Sequence, residues 1–187
     1  MILYIKNMVC DRCVMVVRQQ LENLNFTVLD VVLGKADINP EPDENQLLKI
    51  ASSLKLMGFE LIDDEKQQLI ERIKNLVIEQ VHHTDLSKNN INFSDLLSSA
   101  LFKDYAYLSR LFSGYEEITI EKYIIQQKVE KVKELIEYGH LNLNEIAWKM
   151  GYSSSAHLSA QFKNVTGLTP SQYKSSQSNE RKSLDKI

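Results

Sequence analysis

The feature that most constrains this chain is a pair of short helical patterns on either side of a glycine, in residues 142–175. Asn142 can cap the first helix, and Glu145 can return the bond as in a capping box. Gly151 follows where the chain must turn left-handed, which costs a residue without a Cβ little. A second helix is predicted to begin within 153–155. The positions predicted to face inward are Ile146, Ala147, Met150, Leu158 and Phe162.

The pattern closes with a third helix. Thr169 and Pro170 fit the cap and the first position of a helix, where proline's missing N–H is not needed. A helix, a short glycine turn and a second helix form a helix-turn-helix. The sequence therefore predicts the element that many proteins insert into the major groove of DNA.

The residues of this segment carry a family resemblance. EIAWKMGYSSSAHLSAQFKNVTGLTPSQYK resembles the second helix-turn-helix of AraC/XylS-type transcription regulators. The matching positions, in the family's order, are Glu145-Ile146-Ala147, Gly151-Tyr152, Phe162-Lys163, Gly167, Thr169-Pro170 and Tyr173. That family carries two such motifs joined by a long helix, so the resemblance implies another motif upstream.

The upstream residues fit a first helix-turn-helix with two departures from the family. Asn92 with Asp95, Asp104 and Thr119 are predicted to cap its helices and the long connecting helix. The connecting helix is predicted from an apolar face of Ile125, Val129, Val132 and Ile136. No glycine marks the predicted turn at 101–103. The GYEE run that follows the second helix is more acidic than the family's usual run.

The resemblance assigns base reading to two sets of three residues. These are Ala106, Ser109 and Arg110 in the first motif, and Ser155, Ala156 and Ser159 in the second. Arginine is expected to be the most specific of these residues, because its planar guanidinium group can bond two acceptors of guanine. Such a contact discriminates against other bases by roughly 1–3 kcal/mol. Serine specifies little. The residues predicted to contact DNA phosphates are Lys149, Lys163 and Lys174.

Charge and residue type also allow a simpler interpretation of these positions. A single lysine or arginine is usually a solvated surface charge, and leucine or phenylalanine at helical spacing is usually core. The chain has 22 Lys and Arg against 25 Asp and Glu, a net charge of −3. From Asn89 onward the chain has 12 Lys and Arg against 11 Asp and Glu. Because DNA affinity rests largely on counterion release, a nearly neutral binding domain predicts modest affinity and a shallow salt dependence unless its lysines face one side.

The N-terminal third has a different organisation. Strands are predicted at 2–5, 28–33, 36–39 and 59–62, with a turn at Gly34-Lys35. Helical patterns follow Cys13 and Pro42 and end at Leu24 and Gly58. The order strand–helix–strand–strand–helix–strand is the ferredoxin-like arrangement. The predicted fold class is thus an α+β ferredoxin-like domain joined by a helix to an all-α domain with two helix-turn-helix motifs.

The MVCDRC segment gives this region its own resemblance, to heavy-metal-associated domains of the copper-chaperone and metal-ATPase type. Met8, Cys10 and Cys13 match that family's Met-x-Cys-x-x-Cys loop, and Gly58-Phe59 matches its closing turn. Asn7 stands where the family usually has glycine. The resemblance implies a metal site at the two cysteines.

Three interpretations of Cys10 and Cys13 remain open. As a metal site, two thiolates at a helix start suit Cu(I) or another soft ion better than zinc, which usually takes four ligands. As a redox pair they would form a disulfide. As inert residues they need no partner. His82 and His83, far along the chain, are more typical of surface residues than of ligands.

The predicted domains are a heavy-metal-associated-like domain at 1–64, a connecting helix and linker at 65–90, an AraC-type domain at 91–175 and a disordered tail at 176–187. No apolar run approaches a membrane span, so the predictions include no membrane and a cytoplasmic location. No catalytic constellation argues for an enzyme.

The leading hypothesis is a sequence-specific transcription regulator of the AraC type that binds double-stranded DNA and responds to a soft metal or to thiol redox state. A homodimer and RNA polymerase are further partners that this hypothesis allows. The alternative is a metal-handling or adaptor protein with a vestigial helix-turn-helix domain.

Overall fold

The computed structural model describes residues 1–86, 92–176 and 181–187. The chain divides into two compact units, an N-terminal unit of Met1–Asn75 and a C-terminal unit of Leu76–Ile187. The division falls inside a helix that belongs to the predicted connecting segment 65–90. Within the described ranges, no helix has both the length and the apolar character that crossing a bilayer requires.

The N-terminal unit contains a four-stranded sheet and two helices in the predicted order. The elements are β1 (Ile2–Lys6), α1 (Asp11–Asn23), β2 (Thr27–Val32), β3 (Lys35–Asn39), α2 (Glu44–Leu56) and β4 (Glu60–Leu61). The strand order is β2-β3-β1-β4, and every neighbouring pair is antiparallel. The last strand has two residues, where the sequence predicts four.

Alternation along the strands and a three-to-four spacing along the helices build one apolar core in this unit. Leu3 and Ile5 of β1 are buried, whereas Ile2 and Lys6 are exposed. The helical contribution to this core comes from Val17, Leu21, Ile50 and Leu54. The loop before α1 adds Met8, which is fully buried.

Helix α3 (Glu65–Ile78) follows the sheet and continues into a π-helical turn, Glu79–His83. Residues 65–75 of this helix belong to the N-terminal unit. The side chain of Asn75 is buried beside Gly34, whose φ is 76°, and a Cβ at that glycine would come within 2.0 Å of Asn75 Nδ2. Glycine is therefore required at this turn for both its conformation and its size.

The C-terminal unit is helical in its described residues. After the π-helical turn come α4 (Phe93–Leu101), α5 (Tyr105–Glu116), α6 (Ile120–Tyr138), α7 (Leu143–Lys149), α8 (Ser155–Thr166) and α9 (Pro170–Ser176). Residues 87–90 of the predicted connecting helix and linker at 65–90 lie outside the described residues. Helix α6 is the predicted connecting helix, and Val129, Val132 and Ile136 of its predicted face are buried, while Ile125 is only partly buried.

Side-chain caps explain where most of these helices begin. The oxygens of Asn92, Thr119 and Thr169 accept bonds from the backbone N–H groups of Ser94, Lys122 and Gln172 at 3.1, 3.1 and 3.3 Å. The prediction was wrong at Asp104, which precedes α5 but makes no side-chain cap bond. Helix α5 begins there because Tyr107 and Leu108 donate to the Asp104 carbonyl, which does not involve the carboxylate.

Polar side chains are also buried along α6, and the predicted disordered tail is part of the reason. Residues 181–187 lie along this helix, where Arg181 pairs with Glu134 at 3.1 Å and the Lys182 N–H donates to Glu130 at 3.0 Å. Gln127 donates to the Leu184 carbonyl at 3.2 Å. The sequence predicted disorder because the segment is polar, but here its polar groups have specific partners on α6.

The π-helical turn contacts α6 through His82, which the sequence assigned to the surface. His82 Nε2 donates to Gln127 Oε1 at 2.9 Å, and the ring is partly buried. Burial lowers the pKa of His82 to about 4, although the bond to Gln127 opposes that shift. The imidazole is therefore neutral at physiological pH.

Candidate nucleic-acid interface and cysteine site

The second helix-turn-helix has the predicted local structure. The Asn142 side chain accepts from the Glu145 N–H at 3.1 Å, and the Glu145 carboxylate accepts from the Asn142 N–H at 2.7 Å, which completes the capping box. Gly151 has a φ of 68°, and the Ser154 hydroxyl caps α8. Leu158 of α8 is fully buried. Helices α7 and α8 are thus fixed relative to each other by a short turn.

Helix α8 leaves small polar and apolar residues on its outer side. Ala156 is exposed, and Ser155 and Ser159 are partly exposed. The Ser159 hydroxyl donates to the Ser155 carbonyl at 2.8 Å, so its oxygen is left to act as an acceptor. Ala160 and Lys163 are exposed on the same helix. Of these five residues, only Lys163 carries a charge.

The first helix-turn-helix makes its turn without glycine. Phe102 ends α4 with a φ of 53° and a ψ of 41°, in the left-handed region that side chains bearing a Cβ rarely adopt. The Lys103 N–H donates to the Ser98 carbonyl at 3.3 Å, as in a left-handed helix end. Phe102 itself is 89% exposed. The turn predicted at 101–103 therefore forms with an exposed phenylalanine in place of glycine.

Helix α5 presents its predicted readers on its outer side. Ala106 and Arg110 are exposed and Ser109 is partly exposed, at the i, i+3 and i+4 spacing that places side chains on one face. Arg110 Nε donates to the Ala106 carbonyl at 3.2 Å. This bond holds the arginine along the helix surface, and a bidentate contact can still use its two terminal nitrogens.

The N-terminal end of α5 is tied to α6. The Tyr105 hydroxyl donates to the Glu121 carboxylate. Burial raises the pKa of Tyr105, and the bond to Glu121 adds to that shift, while the same bond lowers the pKa of Glu121. Tyr105 therefore stays protonated as the donor and anchors α5 to the connecting helix.

The three predicted phosphate contacts are all exposed. Lys149 lies in the last turn of α7, Lys163 in α8 and Lys174 in the last turn of α9. Exposure is necessary for a phosphate contact but is equally typical of a solvated lysine, so the assignment stays a prediction.

Some exposed aromatic residues of these helices, among them Tyr107 and Trp148, were not predicted. Tyr107 of α5, between Ala106 and Arg110, is 40% exposed, and Trp148 of α7 is 67% exposed. Aromatic rings at helical spacing usually indicate core, so the sequence pattern alone gave no signal for them. Both rings are available to a partner that contacts α5 or α7.

The two cysteines of the N-terminal unit lie side by side. Cys10 is the N-cap of α1 and Cys13 lies in its first turn, with 3.6 Å between their sulfurs. Burial alone raises the pKa of Cys10, but hydrogen bonds involving Cys13 and Arg12 outweigh it and bring that pKa below its usual value. Burial raises the pKa of Cys13. Cys10 is therefore the more readily ionised thiol.

Asn7 has a left-handed backbone conformation in the loop that leads to the cysteines. Its φ is 72°, a conformation that asparagine tolerates better than most residues. Its Nδ2 donates to the Gly58 carbonyl at 2.9 Å, and its backbone N–H donates to the buried carboxylate of Glu71 on α3 at 3.1 Å. The side chain and backbone of Asn7 thus hold the cysteine loop in place.

The donor set at the cysteines limits which metal could bind. Among the described residues, no three His, Cys, Asp or Glu side chains are grouped as metal ligands. Two adjacent sulfurs without further donors fit a soft ion of low coordination number, such as Cu(I), and do not fit a four-ligand zinc site within one chain.

Comparison with known proteins bears on the C-terminal unit. Residues 97–176 match the family model described as a helix-turn-helix domain. The C-terminal domain of AraT, a response regulator from Geobacillus stearothermophilus, superposes with a TM-score of 0.53 at 21% identity, covering 64% of this chain and 95% of that one. These residues form a helix-turn-helix domain.

Two curated relatives of this chain are named as regulators. The chain is 27% identical over 113 residues to the probable transcriptional regulator LumQ of Photobacterium leiognathi, covering 60% of this chain and 44% of LumQ. It is 24% identical over 145 residues to the Msm operon regulatory protein of Streptococcus mutans, covering 72% of this chain and 50% of that protein. The chain spans about half the length of the curated relatives it matches.

Proposed function

We propose that this protein is a sequence-specific, DNA-binding transcription regulator of the AraC type. The observation that carries the proposal is the helix-turn-helix domain itself, in which two helix-turn-helix motifs each present an exposed face of one helix, α5 and α8. The relatives named as regulators support it. A cytoplasmic location, a second copy of the chain and RNA polymerase as partners belong to the same proposal.

The chemistry of the exposed residues assigns them unequal roles. Arg110 reads guanine through its terminal nitrogens, whereas Ala106 and Ala156 offer only apolar contact, as with a thymine methyl group. Ser159 already donates within α8, so it accepts from an adenine or cytosine amino group. The residues of α5 therefore contribute more to sequence specificity than those of α8. The exposed lysines contact phosphates, which position the protein without reading the sequence.

For the N-terminal unit we propose a ferredoxin-like, heavy-metal-associated-like domain with an input site at Cys10 and Cys13. The strand order and the paired sulfurs at a helix start support this assignment. A bound Cu(I) ion would supply a soft Lewis acid that joins the two thiolates. Oxidation of the pair to a disulfide is the competing form of input.

A ligand regulates only if it favours one conformation over another. The cysteine loop is bonded through Asn7 to Glu71 of α3, and the π-helical turn that continues α3 is bonded through His82 to α6. We propose that a change at the cysteines acts on α6 through this continuous helical segment.

The test is selection of genomic fragments by the purified protein, either fully reduced, loaded with Cu(I) or treated with a thiol oxidant. We expect enriched sites whose occupancy depends on one of these treatments in the wild-type protein but not in Cys10→Ser/Cys13→Ser. If no site is enriched under any treatment, the regulator proposal is refuted. Tight Cu(I) binding without salt-sensitive DNA binding would instead favour a metal-handling or adaptor protein.

A second measurement tests the role of Arg110. We expect Arg110→Ala to weaken a selected site by about 1–3 kcal/mol and to weaken random DNA much less, because the lost contact is to a base. Arg72→Ala is a control that removes an exposed arginine outside the helix-turn-helix domain. Equal losses on selected and random DNA would show that Arg110 contacts a phosphate.

A further inference from the structure

Lys128 of α6 lies where aromatic rings from both helix-turn-helix motifs meet the connecting helix. Its Nζ is 6.0 Å from the centroid of the Phe93 ring and 5.4 Å from that of the Tyr152 ring. Phe93 is the first residue of α4, and Tyr152 follows Gly151 in the turn of the second motif. One ammonium group therefore contacts both motifs.

The surroundings of Lys128 favour these ring contacts over an ion pair. Its side chain is partly buried, and burial lowers its pKa. Two carboxylates of the same helix pair with other lysines, since Glu130 bonds Lys133 and Glu134 bonds Lys131, each at 2.7 Å. A cation removed from water is attracted more strongly by the negative face of a ring than an exposed cation is.

Tyr152 connects Lys128 to α8, the helix that carries the predicted base-reading residues of the second motif. Its hydroxyl donates to Gln161 Oε1 of α8 at 2.7 Å, and its ring meets the His157 ring edge-on at a centroid distance of 5.5 Å. The ring that Lys128 contacts is therefore bonded directly to α8. Phe93 likewise opens α4, the partner helix of α5 in the first motif.

We propose that Lys128 is a positioning residue that fixes the separation of α5 and α8. That separation sets the spacing between the two DNA subsites, one bound by each of these helices. This inference rests on the proposed DNA-binding function. Two recognition helices occupy one duplex together only when their separation matches the helical repeat of DNA. Inserting one base pair moves a subsite by about 3.4 Å along the axis and rotates it, so a rigid pair of motifs rejects the change.

The experiment measures binding of the full chain to an operator selected by the wild-type protein, and to versions with one base pair added or removed between the subsites. Lys128→Met removes the charge and keeps an apolar stem. Lys128→Arg keeps a cation that stacks on rings, and Lys122→Met removes an exposed lysine from the same helix.

For the wild-type protein we expect each spacing change to weaken binding by about fivefold or more. Lys128→Met should bind the parent operator about five- to thirtyfold more weakly and lose less than about twofold on each spacing change. Lys128→Arg and Lys122→Met should keep the wild-type spacing profile. Because the profile is a ratio within one variant, a reduced fraction of folded protein does not alter it.

A Lys128→Met profile that parallels the wild type would overturn the inference. If that variant does not fold, Phe93→Leu removes one of the two rings, and an unchanged spacing profile there would overturn it equally. A wild-type protein that selects no DNA site would refute the proposed function, and the inference with it, before any variant is compared.

Discussion

Replacing Phe102 with glycine should stabilise this protein, although it removes a large apolar side chain. Phe102 forms the turn of the first helix-turn-helix at a φ of 53°, and it is 89% exposed. The substitution therefore relieves backbone strain and removes almost no buried surface. It also restores the glycine that the first motif lacks.

The magnitude follows from two opposing effects. The left-handed conformation costs a residue with a Cβ about 1–2 kcal/mol. Glycine loses more freedom on folding, which offsets about 0.5–1 kcal/mol of that relief. We expect Phe102→Gly to raise the free energy of unfolding of the C-terminal unit by about 0.5–1 kcal/mol. For a unit of this size the melting temperature should rise by about 2–8 °C.

The assay is urea unfolding of the full chain followed by far-ultraviolet circular dichroism, with hydrogen exchange of α4 and α5 to localise the gain. Phe102→Ala is the matched control, because it removes the same ring but keeps the Cβ that causes the strain. Asn7→Gly is a second contrast at a φ of 72°, where glycine would lose the 2.9 Å bond from Asn7 Nδ2 to the Gly58 carbonyl.

The three variants should differ sharply in stability. Phe102→Gly should gain stability, Phe102→Ala should not, and Asn7→Gly should be neutral or destabilised because a hydrogen bond worth about 0.5–1.5 kcal/mol is lost. If Phe102→Ala stabilises the protein as much as Phe102→Gly, the gain comes from removing an exposed ring, and backbone strain at this turn is refuted as its cause.

Three other predictions concern single side chains. Gly34→Ala should destabilise the N-terminal unit by about 1 kcal/mol more than Gly58→Ala in urea unfolding, because both have positive φ but only the first would collide with a buried asparagine. Cys10 should be alkylated before Cys13 as pH rises, measured by peptide mass spectrometry, because their pKa values lie on opposite sides of the usual one. The depressed pKa of His82, about 4 against 6.5, means that the unfolded state binds more protons between these values. Stability of the C-terminal unit should therefore fall by about 1–3 kcal/mol as pH drops from 6.5 to 4, as followed by unfolding at each pH.

Each of these has a result that would contradict it. If Gly34→Ala and Gly58→Ala lose the same stability, the structure around Gly34 accommodates the added Cβ without a further energetic cost. Simultaneous labelling of both thiols would refute their separation. The loss of stability between pH 6.5 and 4 should be smaller in His82→Gln. If the loss is the same in that variant, the pH dependence arises from other groups.

Much of the fold followed from short-range patterns. The capping box at Asn142, the left-handed Gly151 and the buried Leu158 and Phe162 were all predicted, because caps, turns and inward faces depend on residues within a few positions of one another. The strand–helix order of the N-terminal unit followed for the same reason. The missing cap at Asp104 is the exception, since a residue type alone does not fix a side-chain rotamer.

Contacts between distant parts of the chain were not predictable in this way. The partners of residues 181–187 are carboxylates and an amide on α6, roughly fifty positions away, so a polar tail looked disordered. His82 looked like a surface residue until the fold brought it to Gln127. The pattern of residue types along the chain does not indicate which distant residues will contact each other.

The sequence by itself determined the helix-turn-helix, its family resemblance and the adjacency of two thiols, because each depends on residues close together in the chain. Only the tertiary structure decided which thiol ionises more readily, how Phe102 replaces a glycine and that Lys128 contacts rings from both motifs. The physical reason is that burial, backbone strain and cation–ring contacts depend on what surrounds a group in three dimensions.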